Sequence, residues 1–475
     1  MTITADTSSP RNTNKTLARS FYNTAWRWHF YAGLYVAPFL IMLALTGLVM
    51  LWSSTLVGRD GEKFYSVAPS QQTVAVSTQA DVAVAAVPGS SLVQYIVPRT
   101  ETQPSVFRVD INKQSTMVAV DQYRGTVLGT WERRNAVYDV ANLMHGALLI
   151  GTLGDRLIEI AAGFGVVLII TGTYLWWPRD GRGFAKSLKP ELSGRGRQVW
   201  KSLHQTVGIY VAVLLLFFLI SGLTWAGVWG EKMTQAWSTF PAEKWDNVPL
   251  SDLTHASMNH GGVKEVPWAL EQTPMPASDP HAAHNGSATM TQNGAGDVDA
   301  IVAQARTLGF DGRFQLSFPN GETGVWTIAR DTMSNDSADP LSDRTVHIDR
   351  YTGKVLADVK FADYSPAGKA MAVGIALHEG DLAGGWNVAL NTIFCLSVIF
   401  LSVSGFVMWW KRRPAGASRL VAPVVPEKMS IWKTGAFVMV GVSLLFPLTG
   451  IVLVTVLALD MLAIRHVKPL KRALS

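Results

Sequence analysis

Five apolar runs, at about residues 30–52, 157–177, 206–229, 388–410 and 435–459, constrain this 475-residue chain more than any other feature. Each holds the roughly 20 residues needed to cross about 30 Å of hydrocarbon. A backbone in lipid must satisfy its own N–H and C=O groups, so such runs fold as helices. The first run follows some 28 polar residues and ends in Leu51-Trp52-Ser53-Ser54 without a compact small-residue cleavage site. It therefore reads as an anchor and not as a removed signal peptide.

Charge orients these spans. The N-terminal arm (Arg11, Lys15, Arg19, Arg27) and the stretches 178–205 and 411–433 together carry 17 basic residues against four acidic ones, the bias of cytoplasmic segments. Residues 230–387 instead carry 11 basic and 20 acidic residues, and 53–156 nine of each, as exported regions do. The net charge of +6 is thus a signal of topology and does not argue for nucleic acid.

The expected fold is a membrane α-helical bundle of four spans in two repeats, a fifth C-terminal hydrophobic segment and two exported α+β modules. In chain order this gives a cytoplasmic arm (1–28), a span (29–52), an exported module (53–144), a His-led span (145–177) and a cytoplasmic loop (178–203). A span (204–229), a second exported module (230–377) with an insertion at 255–299, a His-led span (378–410) and a cytoplasmic loop (411–433) repeat the order. The fifth segment (434–464) and a basic tail (465–475) follow. If the fifth segment crosses once, Arg465, Lys468, Lys471 and Arg472 emerge outside; a bend at Pro447 would return them to the cytoplasm. Both arrangements remain open.

Internal similarity supports the two repeats. Gly172-Thr-Tyr-Leu-Trp176-Trp177 matches Gly405-Phe-Val-Met-Trp409-Trp410, and Val118-Ala-Val-Asp121-Gln-Tyr123-Arg-Gly125 matches Val346-His-Ile-Asp349-Arg-Tyr351-Thr-Gly353. Alternation into an Asp-x-Tyr-x-Gly turn reads as a β-hairpin, with glycine supplying positive φ.

Four histidines follow the same duplication. His29 and His204 each stand 18 residues before the glycine of a Thr/Ser-Gly step (Thr46-Gly47, Ser221-Gly222); His145 and His378 each stand 27 residues before another (Thr171-Gly172, Ser404-Gly405). Histidine at a membrane marks a pathway or ligand site, and matched pairs on facing helices suit bis-imidazole haem ligation. Eighteen helical residues rise about 27 Å, which puts His29 and His204 at the cytoplasmic edge. Twenty-seven would rise about 40 Å, so His145 and His378 ride at or above the outer surface, with breaks near Gly151 and Gly154 and near Gly380, Gly384 and Gly385. Cys395 is the only cysteine, which excludes Cys-x-x-Cys-His attachment and iron–sulfur clusters, so the expected cofactors are two b-type haems held non-covalently.

Trp26, Trp28, Tyr31, Trp200 and Tyr210 are expected around the first cofactor, with Gly33 and Gly208 letting a flat ring approach the backbone. Met144 and Met371 are alternative thioether ligands. The Trp pairs suit interfacial anchoring, the Thr/Ser-Gly steps close helix packing, and Glu159 either snorkels to the interface or serves proton balance or haem propionate organisation. His255, Met258, His260, His281, His284 and Met290 form a set that would suit copper, or a plain surface insertion. His347 reads as a surface strand residue.

The repeated order of span, Asp-x-Tyr-x-Gly module and His-led span ending in Trp-Trp resembles the PepSY-associated transmembrane helix family over roughly residues 26–412. This family includes bacterial iron-regulated inner-membrane proteins and ferric-siderophore reductases. The resemblance implies two haems per chain and iron reduction on the outer side. No nucleotide-binding glycine motif or cytosolic flavin domain is present in the sequence. The expected donor is therefore quinol or a soluble reductase, and the expected acceptor a ferric siderophore or another periplasmic metal complex. Lipid surrounds an inner-membrane, multi-pass chain with its N-terminus inside. Two other readings stay open: a secondary transporter built from repeats, and a haem-free periplasmic metal- or peptide-binding membrane protein.

Overall fold

The computed structural model describes residues 10–112, 114–133, 136–179, 183–234, 246–259, 264–281, 298–382, 384–416, 420–423, 432–459 and 467. Among the described residues, four helices are long and apolar enough to cross a membrane: Arg19–Val57, Thr152–Trp176, Arg197–Leu223 and Gly385–Trp410. This is a multi-pass membrane protein. The first belongs to a continuous helix, Pro10–Val57, longer at both ends than its apolar run. The fifth run forms two shorter helices, Trp432–Leu445 and Pro447–Leu459. Pro447 has no N–H to donate and its ring crowds the preceding turn, which breaks the segment there. The tail residues Arg465, Lys468, Lys471 and Arg472 lie outside the described residues.

The chain divides into two units: Met1–Leu45 with Gly146–Glu231 and Thr392–Ser475, and Thr46–His145 with Lys232–Asn391. In the helical unit, Ala162, Val166, Leu219, Leu223, Val442 and Phe446 form a buried cluster. Small residues bring its helices close, because a Cβ on Gly165 would sit 2.8 Å from Leu219 Cδ1. Glu159 is buried instead of snorkelling: its carboxylate accepts the Val228 N–H (3.2 Å) and lies 3.7 Å from Arg156. The first Trp of each Trp pair is tied down in the same way. Trp176 Nε1 donates to the Ser187 carbonyl (3.1 Å) and Trp409 Nε1 to that of Leu420 (2.7 Å), in each case eleven residues on.

The second unit is built on strands β1 (Ser91–Ile96), β2 (Ser105–Ile111), β3 (Gln114–Asp121), β4 (Thr126–Glu132), β5 (Leu250–Thr254), β6 (Pro274–Pro276), β7 (Gln315–Ser317), β8 (Val325–Arg330), β9 (Arg344–Asp349) and β10 (Val355–Lys360). Instead of two separate exported modules, eight strands make one sheet in the order β10-β9-β8-β7-β1-β2-β3-β4, while β5 and β6 pair separately. The halves join through β1 and β7, which pair Gln94 with Ser317 and Ile96 with Gln315. The junction removes two open strand edges that separate modules would leave.

Both Asp-x-Tyr-x-Gly hairpins form. Asp121 Oδ1 accepts the N–H of Tyr123 (2.9 Å) and Asp349 Oδ1 that of Tyr351 (2.9 Å), and Gly125 and Gly353 take φ values of 63° and 69°. One sheet face buries Phe107, Val109, Val118, Trp326, Ile328, Val346 and Ile348 against the helices Val76–Ala85 and Val298–Thr307. The opposite face carries Gln94, Arg108, Thr327, Thr345 and His347, all buried.

Two expectations are corrected on that polar face. Residues 264–281 are not a plain surface insertion, because Val266, Trp268 and Leu270 supply large apolar side chains and are buried. His347 is not a surface residue either; it is 0% exposed. His260, His284 and Met290 lie outside the described residues. Buried ion pairs complete this region: Arg313 reaches Asp60 (2.5 Å), Asp336 (2.9 Å) and Glu62 (3.4 Å), and Glu265 meets Arg108 (3.1 Å) and Arg133 (2.8 Å).

Candidate functional site

The four histidines meet as two pairs, one in each unit. In the helical unit His29 and His204 face each other with ring centres 6.4 Å apart and planes at 89°. An imidazole nitrogen sits about 2 Å from a first-row metal ion, and the ring centre about 1 Å further, so two rings on opposite sides of one ion stand about 6 Å apart. The spacing therefore fits an ion between the rings and leaves the imidazoles themselves out of contact.

Hydrogen bonds settle which nitrogen faces the gap. Thr171 Oγ1 donates to the Val167 carbonyl (2.6 Å) and lies 3.0 Å from His29 Nδ1, so its oxygen accepts the Nδ1–H. Ser404 Oγ donates to the Leu401 carbonyl (3.0 Å) and accepts from His204 Nδ1 in the same way (2.8 Å). With Nδ1 protonated, Nε2 is the nitrogen whose lone pair each ring could offer to a metal ion. The adjacent glycines complete the seat. A Cβ on Gly172 would lie 3.1 Å from His29 Cε1, and one on Gly405 3.7 Å from His204 Cε1.

The second pair repeats this geometry. His145 and His378 have ring centres 6.5 Å apart and planes at 84°. Thr46 Oγ1 lies 2.9 Å from His145 Nδ1. Burial first, and then the facing His145, lower the His378 pKa to about 3, which keeps that imidazole neutral and able to donate its lone pair.

His145 lies in the last turn of the short helix Val137–Ala147, and the chain then turns through Leu148, Leu149 and Gly151, all at positive φ, before Thr152. His378 lies near the end of the helix Pro366–Glu379, which stops at Gly380 with φ of 91°. A side chain there would meet Leu51. The spacing from histidine to Thr/Ser-Gly step is thus spread over two helices, and each short helix carries its histidine outside the long span.

The sequence pattern of the PepSY-associated TM region matches residues 26–412. The chain belongs to this family. No curated protein matches it.

Within this PepSY-associated TM chain, sequence reasoning missed what holds the second pair. Asn391 Nδ2 donates to the carbonyls of Leu377 (2.9 Å) and His378 (3.0 Å), and Asn387 Nδ2 to that of Leu377 (3.1 Å) and to Asn391 Oδ1 (3.1 Å). Both asparagines are buried and occupy helix-end carbonyls that have no partner within the helix. Two buried amides early in an apolar span were the available signal. The Thr/Ser-Gly steps read as packing positions in the sequence, whereas the hydroxyls of Thr46, Thr171 and Ser404 each meet an imidazole.

Several residues expected around the first pair have contacts of their own. Gly33 and Gly208 admit leucine, since a Cβ on either would lie 3.7 Å from Leu168 or Leu401. Tyr210 is exposed and donates to the Leu188 carbonyl (3.2 Å). Trp200 stacks on Phe400 (6.1 Å), and Arg412 lies over Trp26 (5.0 Å). Met144 is exposed, which leaves His145 as the inward-facing member of that helix end.

Proposed function

We propose that this chain is a di-haem transmembrane electron-transfer protein that reduces ferric complexes, siderophore iron among them, on the periplasmic side of the bacterial inner membrane. The observation that carries the reading is the repeated spacing of two partly buried imidazole pairs, 6.4 and 6.5 Å between ring centres. Family membership over residues 26–412 adds weight.

His29 with His204, and His145 with His378, would hold one b-type haem each. Haem, when bound, supplies a one-electron redox change. The residues supply position, lone pairs and a dry surrounding. Thr171 and Ser404 keep Nδ1 protonated and the rings oriented, while the short helices hold His145 and His378 outside the long spans. The donor is quinol in the membrane or a soluble reductase, and the exported unit receives the ferric complex. Iron release follows from ligand hardness, since hard oxygen chelators hold Fe(II) less tightly than Fe(III).

Haem quantitation on purified His29→Ala and His378→Ala variants tests this reading. Each should lose one haem and keep the other, and each should reduce a ferric siderophore more slowly. Unchanged haem content in both would overturn the pairing.

A further inference from the structure

Two more histidines converge in the exported unit, far apart in sequence and separate from the four above. His255 Nε2 and His347 Nε2 lie 2.9 Å apart, and both residues are fully buried. His255 Nδ1 is 2.9 Å from the Thr273 carbonyl oxygen, which only accepts. That nitrogen is therefore the protonated one, and Nε2 presents a lone pair to its partner. His347 Nδ1 lies 3.0 Å from Thr327 Oγ1, a group that can donate or accept. Without metal, the groups form one neutral chain running from the Thr327 hydroxyl through both rings to the Thr273 carbonyl.

The same arrangement can open toward a metal. Rotation of the Thr327 hydroxyl lets it accept from His347 Nδ1, which moves the ring proton away from Nε2 and leaves two Nε2 lone pairs facing each other. Burial lowers the pKa of His255 to about 4 and that of His347 well below its ordinary value, so both rings are neutral at ambient pH.

A third donor stands beside them. His255 and Met258 are the first and last residues of a 3-10 turn, in which side chains three apart eclipse. Both line a cavity of about 40 Å³, room for a single small ion or water. The carboxylates on its wall are engaged elsewhere, Glu265 with Arg108 and Arg133 and Asp331 with the Ser334 N–H (2.7 Å).

We propose that His255, His347 and Met258 form a binding site for monovalent copper. Two imidazoles and a thioether make a soft, low-coordinate donor set that suits Cu(I) better than a hard divalent ion. Closing on the ion requires the two Nε2 atoms to part from 2.9 Å to roughly 3.3–4 Å, given metal–nitrogen bonds of about 2 Å. Rotation of the half-exposed Met258 gives the ion its entry.

The test titrates the full-length detergent-solubilised chain with the Cu(I)–bicinchoninate complex under anaerobic, reducing conditions, with Zn(II) as a parallel arm. The wild type should withdraw one equivalent of Cu(I), and a His260→Ala/His281→Ala/His284→Ala chain should do the same. His347→Gln should lose the site, and Thr327→Val, which retains both rings, should weaken it about 10- to 100-fold. X-ray absorption on the wild type should show nitrogen neighbours at about 2 Å and one sulfur at about 2.3 Å, a readout that needs no variant to fold. Failure of the wild type to compete for Cu(I), preference for Zn(II), or binding that disappears with the three other histidines and survives His347→Gln would overturn the site.

Discussion

His29 Nδ1 lies 3.0 Å from Thr171 Oγ1, whose own hydrogen goes to the Val167 carbonyl. The hydroxyl therefore acts on the imidazole as an acceptor, and it fixes which nitrogen points toward His204. Partners of this kind orient a ligand and raise its basicity. Thr171→Val keeps the volume and removes the acceptor. Haem retention at the first pair should fall about 10- to 100-fold, with the second pair unaffected, as read by haem titration and reduced-minus-oxidised spectra.

The glycines beside the two rings differ in clearance. At Gly172 an added Cβ meets His29 at 3.1 Å, tighter than ordinary contact, whereas at Gly405 it meets His204 at 3.7 Å. Gly172→Ala should shift the midpoint potential and lower occupancy at the first pair, and Gly405→Ala should do neither. Spectroelectrochemical titration of both variants checks the contrast.

Imidazole planes at 89° and 84° leave two iron d orbitals nearly equal in energy if the rings ligate one ferric haem from opposite sides. Both haems should give strongly anisotropic low-spin EPR signals. Rhombic signals of the parallel-plane kind at either site would mean that the rings turn on loading.

Arg313 neutralises a buried acidic group, since Asp60 and Asp336 approach it at 2.5 and 2.9 Å with side chains 2% and 0% exposed. Arg313→Met takes the paired cation from Asp336 and leaves Asp60 with Arg133, at 3.5 Å. The sheet-bearing unit should lose about 3–5 kcal/mol, measured as an earlier unfolding transition of the strand signal in circular dichroism.

Asp343 has its carboxyl pKa raised to about 9, chiefly by burial and next by Asp331. A group whose pKa is higher folded than unfolded contributes its full stability below the unfolded value, about 4, and loses it as pH rises through the folded value. Stability of the sheet-bearing unit should therefore decline between about pH 4 and 9 on account of this residue. Asp343→Asn should flatten that slope and raise the melting temperature more at pH 8 than at pH 5.

Much of this arrangement was legible because repetition in a sequence survives into geometry. The spacing of His29 and His204 from their glycines, and of His145 and His378 from theirs, identified the pairs without any knowledge of contacts. The Asp-x-Tyr-x-Gly hairpins were equally readable, since the aspartate caps its own turn. Relationships that depend on distant partners were not. His347 alternates with apolar residues along β9 and gives no local sign that His255 arrives 92 residues away in sequence to cover it. The joining of both strand sets into one sheet depends on the β1–β7 edge, which neither strand announces alone. Thr171 and Ser404 looked like packing residues because a small hydroxyl beside glycine serves both purposes.

The central claim is that two imidazole pairs each hold one haem, and the pigment content of the purified chain tests it most directly. Haem measured against protein by alkaline pyridine spectra should approach two per chain, with a Soret band that shifts on dithionite reduction. A folded, colourless chain, or one whose haem survives the joint loss of His29 and His378, would contradict the account.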